Sequence, residues 1–231
     1  MTRLHMDWTS AALAALALAA CGGTHRSEAG VSPQARPAAQ GDLSATAKAK
    51  AGSARYPFTE ADVHFMSGMI AHHAQAIVMS GWAPSHDAGA AVRRLAERII
   101  NAQQDEIATM QRWLRDRGQP VPALSLSNGP EATGMKMKMG GGEHEMLMPG
   151  MLTEDQMRQL DQARGPEFDR LFLTFMIQHH RGAVTMVQDL FGSRGAGQDE
   201  TVFKFATDVS VDQSTEIARM EKMLGTLAPS P

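Results

Sequence analysis

The sequence predicts an all-α protein: a four-helix antiparallel bundle built from two repeated helical hairpins, plus one short extra helix. Three observations carry this. Apolar residues recur at helical spacing through residues 57–119 and 153–228, with no strand signal of comparable strength. Capping residues and Gly/Pro stops bracket each segment. The chain also repeats itself. When His72-His73 is laid on His179-His180, Asp62, Phe65, Met69, Ile70, Ala76 and Met79 fall on Asp169, Phe172, Met176, Ile177, Ala183 and Met186. Further on, Gln103, Glu106, Ile107, Met110 and Leu114 fall on Gln213, Glu216, Ile217, Met220 and Leu224. Each hairpin exposes an apolar stripe, and pairing the two buries both.

The elements follow in order. Thr59 is the expected N-cap of the first helix, with Asp62 in the acidic place of a capping box, and the helix runs to about Gly81. The second spans about Asp87 to Arg117 and stops at Gly118 and Pro120. A Met/Gly-rich linker occupies 120–152. The short helix starts after Thr153, with Gln156 completing a capping box. Gly165-Pro166 break it, and Pro166 suits the first turn of the next helix, which reaches about Phe191. The last runs from about Asp199 to Leu227. Residues 57–228 thus form one domain, with hairpins at 57–119 and 153–228.

What precedes the domain reads differently. "TSAALAALALAAC" is a short Ala/Leu run, too short to span a bilayer, and it has the form of a secretory h-region. It ends in Leu18-Ala19-Ala20-Cys21, which resembles a lipobox. Residues 1–20 are therefore expected to be a lipoprotein signal peptide, although Arg3 is the only basic residue before the run and Asp7 opposes it. Cys21 is the expected lipidation site. Residues 21–56, rich in Ala, Gly, Ser, Pro and Gln, read as a disordered tether spanning roughly 30 Å on average. The expected location is exported: a periplasmic or cell-surface lipoprotein on a membrane, the outer membrane if the cell has one.

Composition removes several function classes. The net charge is −3 and no basic stripe with interleaved aromatics occurs, which argues against nucleic acid. Cys21 is the only cysteine, so the domain has no disulfide and no thiolate centre. No Ser elbow accompanies it, so nucleophilic hydrolysis has no support and no catalytic residue is assigned. Methionine is abundant, at 17 residues, and supplies the soft ligands a cysteine-free domain can offer.

At about 100° per residue, Asp62, Phe65, Met66, Met69, His72, His73, Ala76 and Met79 share one arc of the first helix, with His64 opposite. The second hairpin repeats the arc around Met176. Glu106 falls on the apolar stripe of the second helix, and Glu216 on that of the last. An inward carboxylate needs a partner, and an imidazole of the facing helix is the obvious one. Met69 precedes His72 by three residues and His73 by four, so either pair shares a face. Imidazole with thioether suits copper, Cu(I) more than Cu(II). The expected ligands are His72, His73, His179, His180, Met69 and Met176, with Met79 and Met186 beside them. Glu106, Glu216, Gln103, Gln213, Asp62 and Asp169 are expected to support the ligands. The spacing does not decide which histidine of each pair would face a metal and which a carboxylate.

The linker gives a second signal. "MKMKMGGGEHEMLMPGM" places Met135, Met137, Met139, Met146 and Met148 around His144 in a Gly-rich stretch that favours no helical face. Thioethers near a histidine suit a looser Cu(I) or Ag(I) site.

These residues resemble the recurring pattern of the "domain of unknown function 305" family: D-x-x-F-x-x-x-M-I-x-H-H-x-x-A-x-x-M, then I-x-x-x-Q-x-x-E-I-x-x-M. The first copy runs from Asp62 to Met79 and from Ile99 to Met110, the second from Asp169 to Met186 and from Val209, in place of Ile, to Met220. The resemblance spans about residues 57–226. It implies a ferritin-like helical bundle, often exported, in a family with some periplasmic copper-binding members. The expected function is an exported, membrane-anchored copper-binding protein for sequestration, handover or resistance. Its partners would be a metal ion, the membrane and, for handover, another copper-handling protein; a homo-oligomer is compatible. Two alternatives stand beside it. A ferritin-like di-metal oxidase would need Glu-x-x-His pairs, which are absent. A non-metal helical interaction module of the envelope would use the same bundle without its histidines.

Overall fold

The computed structural model describes residues 57–123 and 148–227, and the backbone of 138–139 and 142–143. The expected signal peptide, Cys21, the tether, and the side chains of Met135, Met137, Met139, His144 and Met146 lie outside the described residues.

Five helices carry the fold: α1 (Glu60–Gly81), α2 (Ala90–Asp116), α3 (Glu154–Gln162), α4 (Gly165–Gly192) and α5 (Glu200–Thr226). The architecture is all-α and ferritin-like. A minimal antiparallel ladder in the linker, Lys138–Met139 against Gly142–Glu143, departs from the strand-free expectation. Among the described helices, none is long and apolar enough to cross a membrane.

The caps form as their residues dictate. Thr59 and Asp62 make a reciprocal capping box on α1, and Thr153 and Gln156 make one on α3. At the end of α2, Gly118 takes φ 64°. Its N–H reaches the Arg115 carbonyl at 3.0 Å and the next N–H, of Gln119, reaches Leu114 at 2.9 Å. That is the double bond of a Schellman stop.

α1 packs on α2 and α4 on α5, giving the two hairpins, which meet along α1 and α4; α3 lies on α4. The apolar core falls into two clusters. One joins the later half of α1 to the early half of α4 through Ala76, Met79, Phe168, Phe172 and Met176. The other joins the early half of α1 to the later half of α4 through Phe65, Met69, Met186 and Leu190. α1 and α4 therefore run antiparallel, and the histidine pairs sit between the clusters.

Three contacts tie the hairpins together. Asp62 Oδ1 accepts the Gly197 N–H at 2.7 Å, and in the repeat Asp169 accepts the Gly89 N–H at 3.0 Å. Each aspartate thus holds the loop of the opposite hairpin. Asp199 caps α5, accepts from Trp113 Nε1 at 3.0 Å, and pairs with Arg117 at 2.5 Å. Both side chains of that ion pair are buried, at 8% and 3% exposure. Asp199→Ala should therefore cost about 3–5 kcal/mol, the cost of leaving a buried charge unpaired, read as a lower urea midpoint.

The linker returns to the bundle as a strap, Pro149–Leu152, lying over α1 and α4. Gln75 grips it from α1: Nε2 donates to the Leu152 carbonyl at 3.1 Å and Oε1 accepts the Leu152 N–H at 2.7 Å. Gln178 donates to the Gly150 carbonyl at 3.3 Å. The strap touches α4 at Gly182, where a Cβ would stand 1.9 Å from the Pro149 carbonyl oxygen. Gly182 is the repeat counterpart of Gln75, so the duplicated helices diverge where one grips the strap and the other makes room for it. Gly182→Ala should lift the strap and cost about 1–3 kcal/mol, with faster amide exchange at Leu152 as its signature.

Candidate metal centre

His72, His73, His179 and His180 are all fully buried at the waist between the two apolar clusters. Leu or Phe would fill the same space without bringing polar nitrogens into it, and buried polar groups without partners destabilise a fold. Positions that carry such a cost are candidates for function.

The four rings divide their work. His180 Nε2 bonds Glu216 Oε2 at 2.8 Å. In the repeat, His73 Nε2 stands 2.6 Å from Glu106 Oε2, a close ion-pair contact whose alignment is poorer than that of a linear hydrogen bond. These carboxylates sit on the hairpin partners α2 and α5. His72 and His179 meet each other instead, across α1 and α4, with ring centroids 3.8 Å apart and a 40° tilt. The question left open by the spacing thus resolves the same way in both halves: the second histidine of each pair holds a carboxylate, and the first faces its twin.

Electrostatics keeps the inner pair neutral. Burial and the neighbouring His73 charge push the His72 pKa down to about 3, against the weaker pull of the Pro149 carbonyl. Burial, then the charges of His72, His180 and His73, hold His179 well below the usual imidazole range. Two imidazolium charges at this separation would repel by about 4 kcal/mol at an effective dielectric of about 20.

Neutrality fixes a tautomer. His72 Nε2 lies 3.0 Å from the Pro149 carbonyl, which only accepts, so Nε2 carries the proton and Nδ1 keeps its lone pair. His72 Nδ1 has no hydrogen-bond partner, and the His179 ring makes no well-formed hydrogen bond, only a weak approach to the His72 backbone carbonyl. A neutral, unprotonated ring nitrogen is the form in which histidine ligates a metal.

Methionines flank the rings on both sides. Met69 and Met176 are fully buried one turn before His72 and His179. Met79 lies two turns beyond His72 and is fully buried; Met186, two turns beyond His179, is 8% exposed. Met69 and Met186 belong to one apolar cluster, Met79 and Met176 to the other. Among the described residues, no three His, Cys, Asp or Glu converge to hold a metal. A complete ligand set built on these imidazoles therefore draws on thioethers, and that donor set is soft.

The remaining expected residues are spread more widely. Asp62 and Asp169 do point inward, but they stand ten residues before His72 and His179, about 15 Å along the helix. They clasp loops and are not part of the histidine layer. The helical wheel gives direction and not height, so it groups them with the histidines. Gln103 and Gln213 are buried beside Glu106 and Glu216, on the outer side of the layer. Met148, of the linker, is half-buried against an apolar cluster. Sequence reasoning missed the strap. A backbone carbonyl such as that of Pro149 leaves no residue signature, although the mismatch of Gln75 with Gly182 in the repeat marks the place.

Known proteins share the fold. A fragment from Deinococcus radiodurans bearing the same domain is 30% identical, with a TM-score of 0.58, over 74% of this chain and 99% of that one. A Streptomyces coelicolor protein of the domain, described as secreted, is 29% identical, with a TM-score of 0.57, over 71% of this chain and 92% of its own. CopM in its Cu(II)-bound form is 28% identical, with a TM-score of 0.54, over 72% of this chain and 97% of its own; it has also been solved with Cu(I) and with Ag. Among curated proteins, the uncharacterized protein L153 of Acanthamoeba polyphaga mimivirus is 39% identical over 56 residues, 24% of this chain. The match spans 37% of that relative's own length. A family model, "Domain of unknown function (DUF305)", matches residues 62–224. With most of the chain covered by that model, the protein belongs to the DUF305 family.

Proposed function

We propose that this protein binds a soft metal ion, Cu(I) or its analogue Ag(I), at the histidine layer and serves in copper sequestration or handover. The observation that carries this is the His72–His179 pair: two buried neutral imidazoles, 3.8 Å apart, with His72 Nδ1 and both His179 nitrogens making no well-formed hydrogen bond. Their surroundings supply only thioethers as further soft donors. Metal is the cargo here. His72, His179, Met69 and Met176 would hold it, with Met79 and Met186 beside them. Glu106 and Glu216 orient His73 and His180, which complete the polar layer and are available as further ligands through Nδ1. CopM, a relative solved with copper and silver, supports the metal class.

The domain is proposed to work outside the cytoplasm, with residues 1–20 removed, Cys21 lipidated and residues 21–56 as the tether to a membrane. The secreted relative supports export. The linker residues Met135, Met137, Met139, His144, Met146 and Met148 would form a looser collecting site that delivers to the strap over His72. For handover, a second copper-handling protein would receive the ion.

An anaerobic Cu(I) competition titration of the mature chain tests the reading. Stoichiometric binding that persists when Met135, Met137 and Met139 are replaced by Leu is expected. Binding no tighter than that of the isolated linker peptide would sink it.

A further inference from the structure

On the outer side of the histidine layer, α2 and α5 enclose a cleft of 260 Å³. Gln103, Glu106, Asp212, Gln213 and Glu216 line it, together with Arg98 and Arg219. The two glutamines are the unexpected members. Gln103 is 2% exposed and Gln213 4%, yet both amide atoms of Gln103 and Oε1 of Gln213 have no hydrogen-bond partner. Both occupy the same repeat position, on stripes where Leu or Met would pack. Buried amides aimed into a polar cleft without partners call for a ligand.

The lining says which kind. Three carboxylates face two guanidiniums, and Arg98 is already engaged with Glu216 at 3.6 Å. Carboxylates outnumber guanidiniums in the lining, and Glu106, Asp208 and Glu216 add to the desolvation that raises the Asp212 pKa, against Lys204. The donors are all oxygens, with no thioether or imidazole nitrogen lining the cleft. Hard oxygen donors favour hard divalent ions over Cu(I). Glu106, Glu216 and Asp212 do not converge closely enough to chelate a bare ion, since no three acidic or His side chains do so among the described residues. The volume, however, exceeds that of six waters at about 30 Å³ each. We propose that the α2–α5 cleft is a second cation site, chemically distinct from the histidine layer, which takes a hydrated divalent ion between the Gln103 and Gln213 amide oxygens and the surrounding carboxylates.

Mn²⁺ is the probe, because it is hard, paramagnetic and indifferent to thioethers. Titration of the full mature chain, followed by the EPR signal of free Mn²⁺, should show saturable binding of one ion. Asp212→Asn, at an exposed position that leaves folding intact, should weaken it at least about tenfold through loss of ligand charge. Gln103→Leu should do the same. The pair His72→Leu with His179→Leu should leave Mn²⁺ binding unchanged, and Asp212→Asn should keep its Ag(I) site. Absence of saturable Mn²⁺ binding, or binding that survives either cleft substitution, overturns the assignment. Those outcomes are independent of whether the histidine layer holds Cu(I).

Discussion

A chain carrying His72→Leu and His179→Leu is expected to lose its soft-metal site while keeping or gaining stability in the metal-free form. The two effects separate function from packing. If the inner imidazoles were structural, replacing them would remove native interactions and lower the melting temperature. Their ring nitrogens are, however, mostly unpartnered: His72 spends one on the Pro149 carbonyl, and His179 has only a weak approach to the His72 backbone. Replacing an unsatisfied buried polar group by an apolar one of similar volume is neutral or stabilising. Ag(I) affinity should move the other way. Loss of a hydrogen-bond partner of a ligand already costs about 10–100-fold, so loss of two ligands should exceed that range. Isothermal titration with Ag(I) beside a thermal melt reads both. His64→Ala is the matched control, because His64 is exposed on the opposite face of α1.

The second large effect is a loss of stability in mild acid. His72 is held at a pKa of about 3 in the folded state against an ordinary value of 6.5, and His179 is lowered in the same direction. Between these limits the unfolded chain binds more protons than the folded one, so stability rises with pH. The contribution is fully present above about pH 6.5 and is lost as the pH falls toward about 3. For His72 alone the loss approaches about 5 kcal/mol, comparable to the whole stability of a modest domain. Urea midpoints of the metal-free protein should therefore fall steadily below pH 6.5. The double Leu variant should flatten that dependence, because it removes both groups that must charge on unfolding.

The bundle was legible because its signals are local and repeated. Thr59-Asp62 and Thr153-Gln156 announce helix starts, Gly118 announces a stop, and each does its expected work. The helical wheel correctly placed the His, Met and Asp side chains inward, and His64 outward. It could not say what each would meet, because a wheel gives direction around a helix and leaves the partner's height unknown. Hence a wheel groups Asp62 and Asp169 with the histidines, although they clasp loops about 15 Å away. The split between His72 and His73 depends on how the hairpins pair, which only the tertiary arrangement fixes. The repeat made one half of that answer predict the other: His73 takes Glu106 and His180 takes Glu216. The strap across Pro149–Leu152 was beyond reach, since it is held by backbone groups and by the absence of a side chain at Gly182.

The most direct measurement is nitrogen-resolved NMR of ¹⁵N-histidine-labelled mature protein, before and after one equivalent of Ag(I). Without metal, the His72 ring should report a neutral imidazole with its proton on Nε2. On addition of Ag(I), the ring nitrogens of His72 and His179 should shift, while His73 and His180 keep their bonds to Glu106 and Glu216. Shifts confined to His73 and His180, or silver uptake that leaves all four buried rings unmoved, would contradict the assignment of the inner pair as the metal-facing histidines.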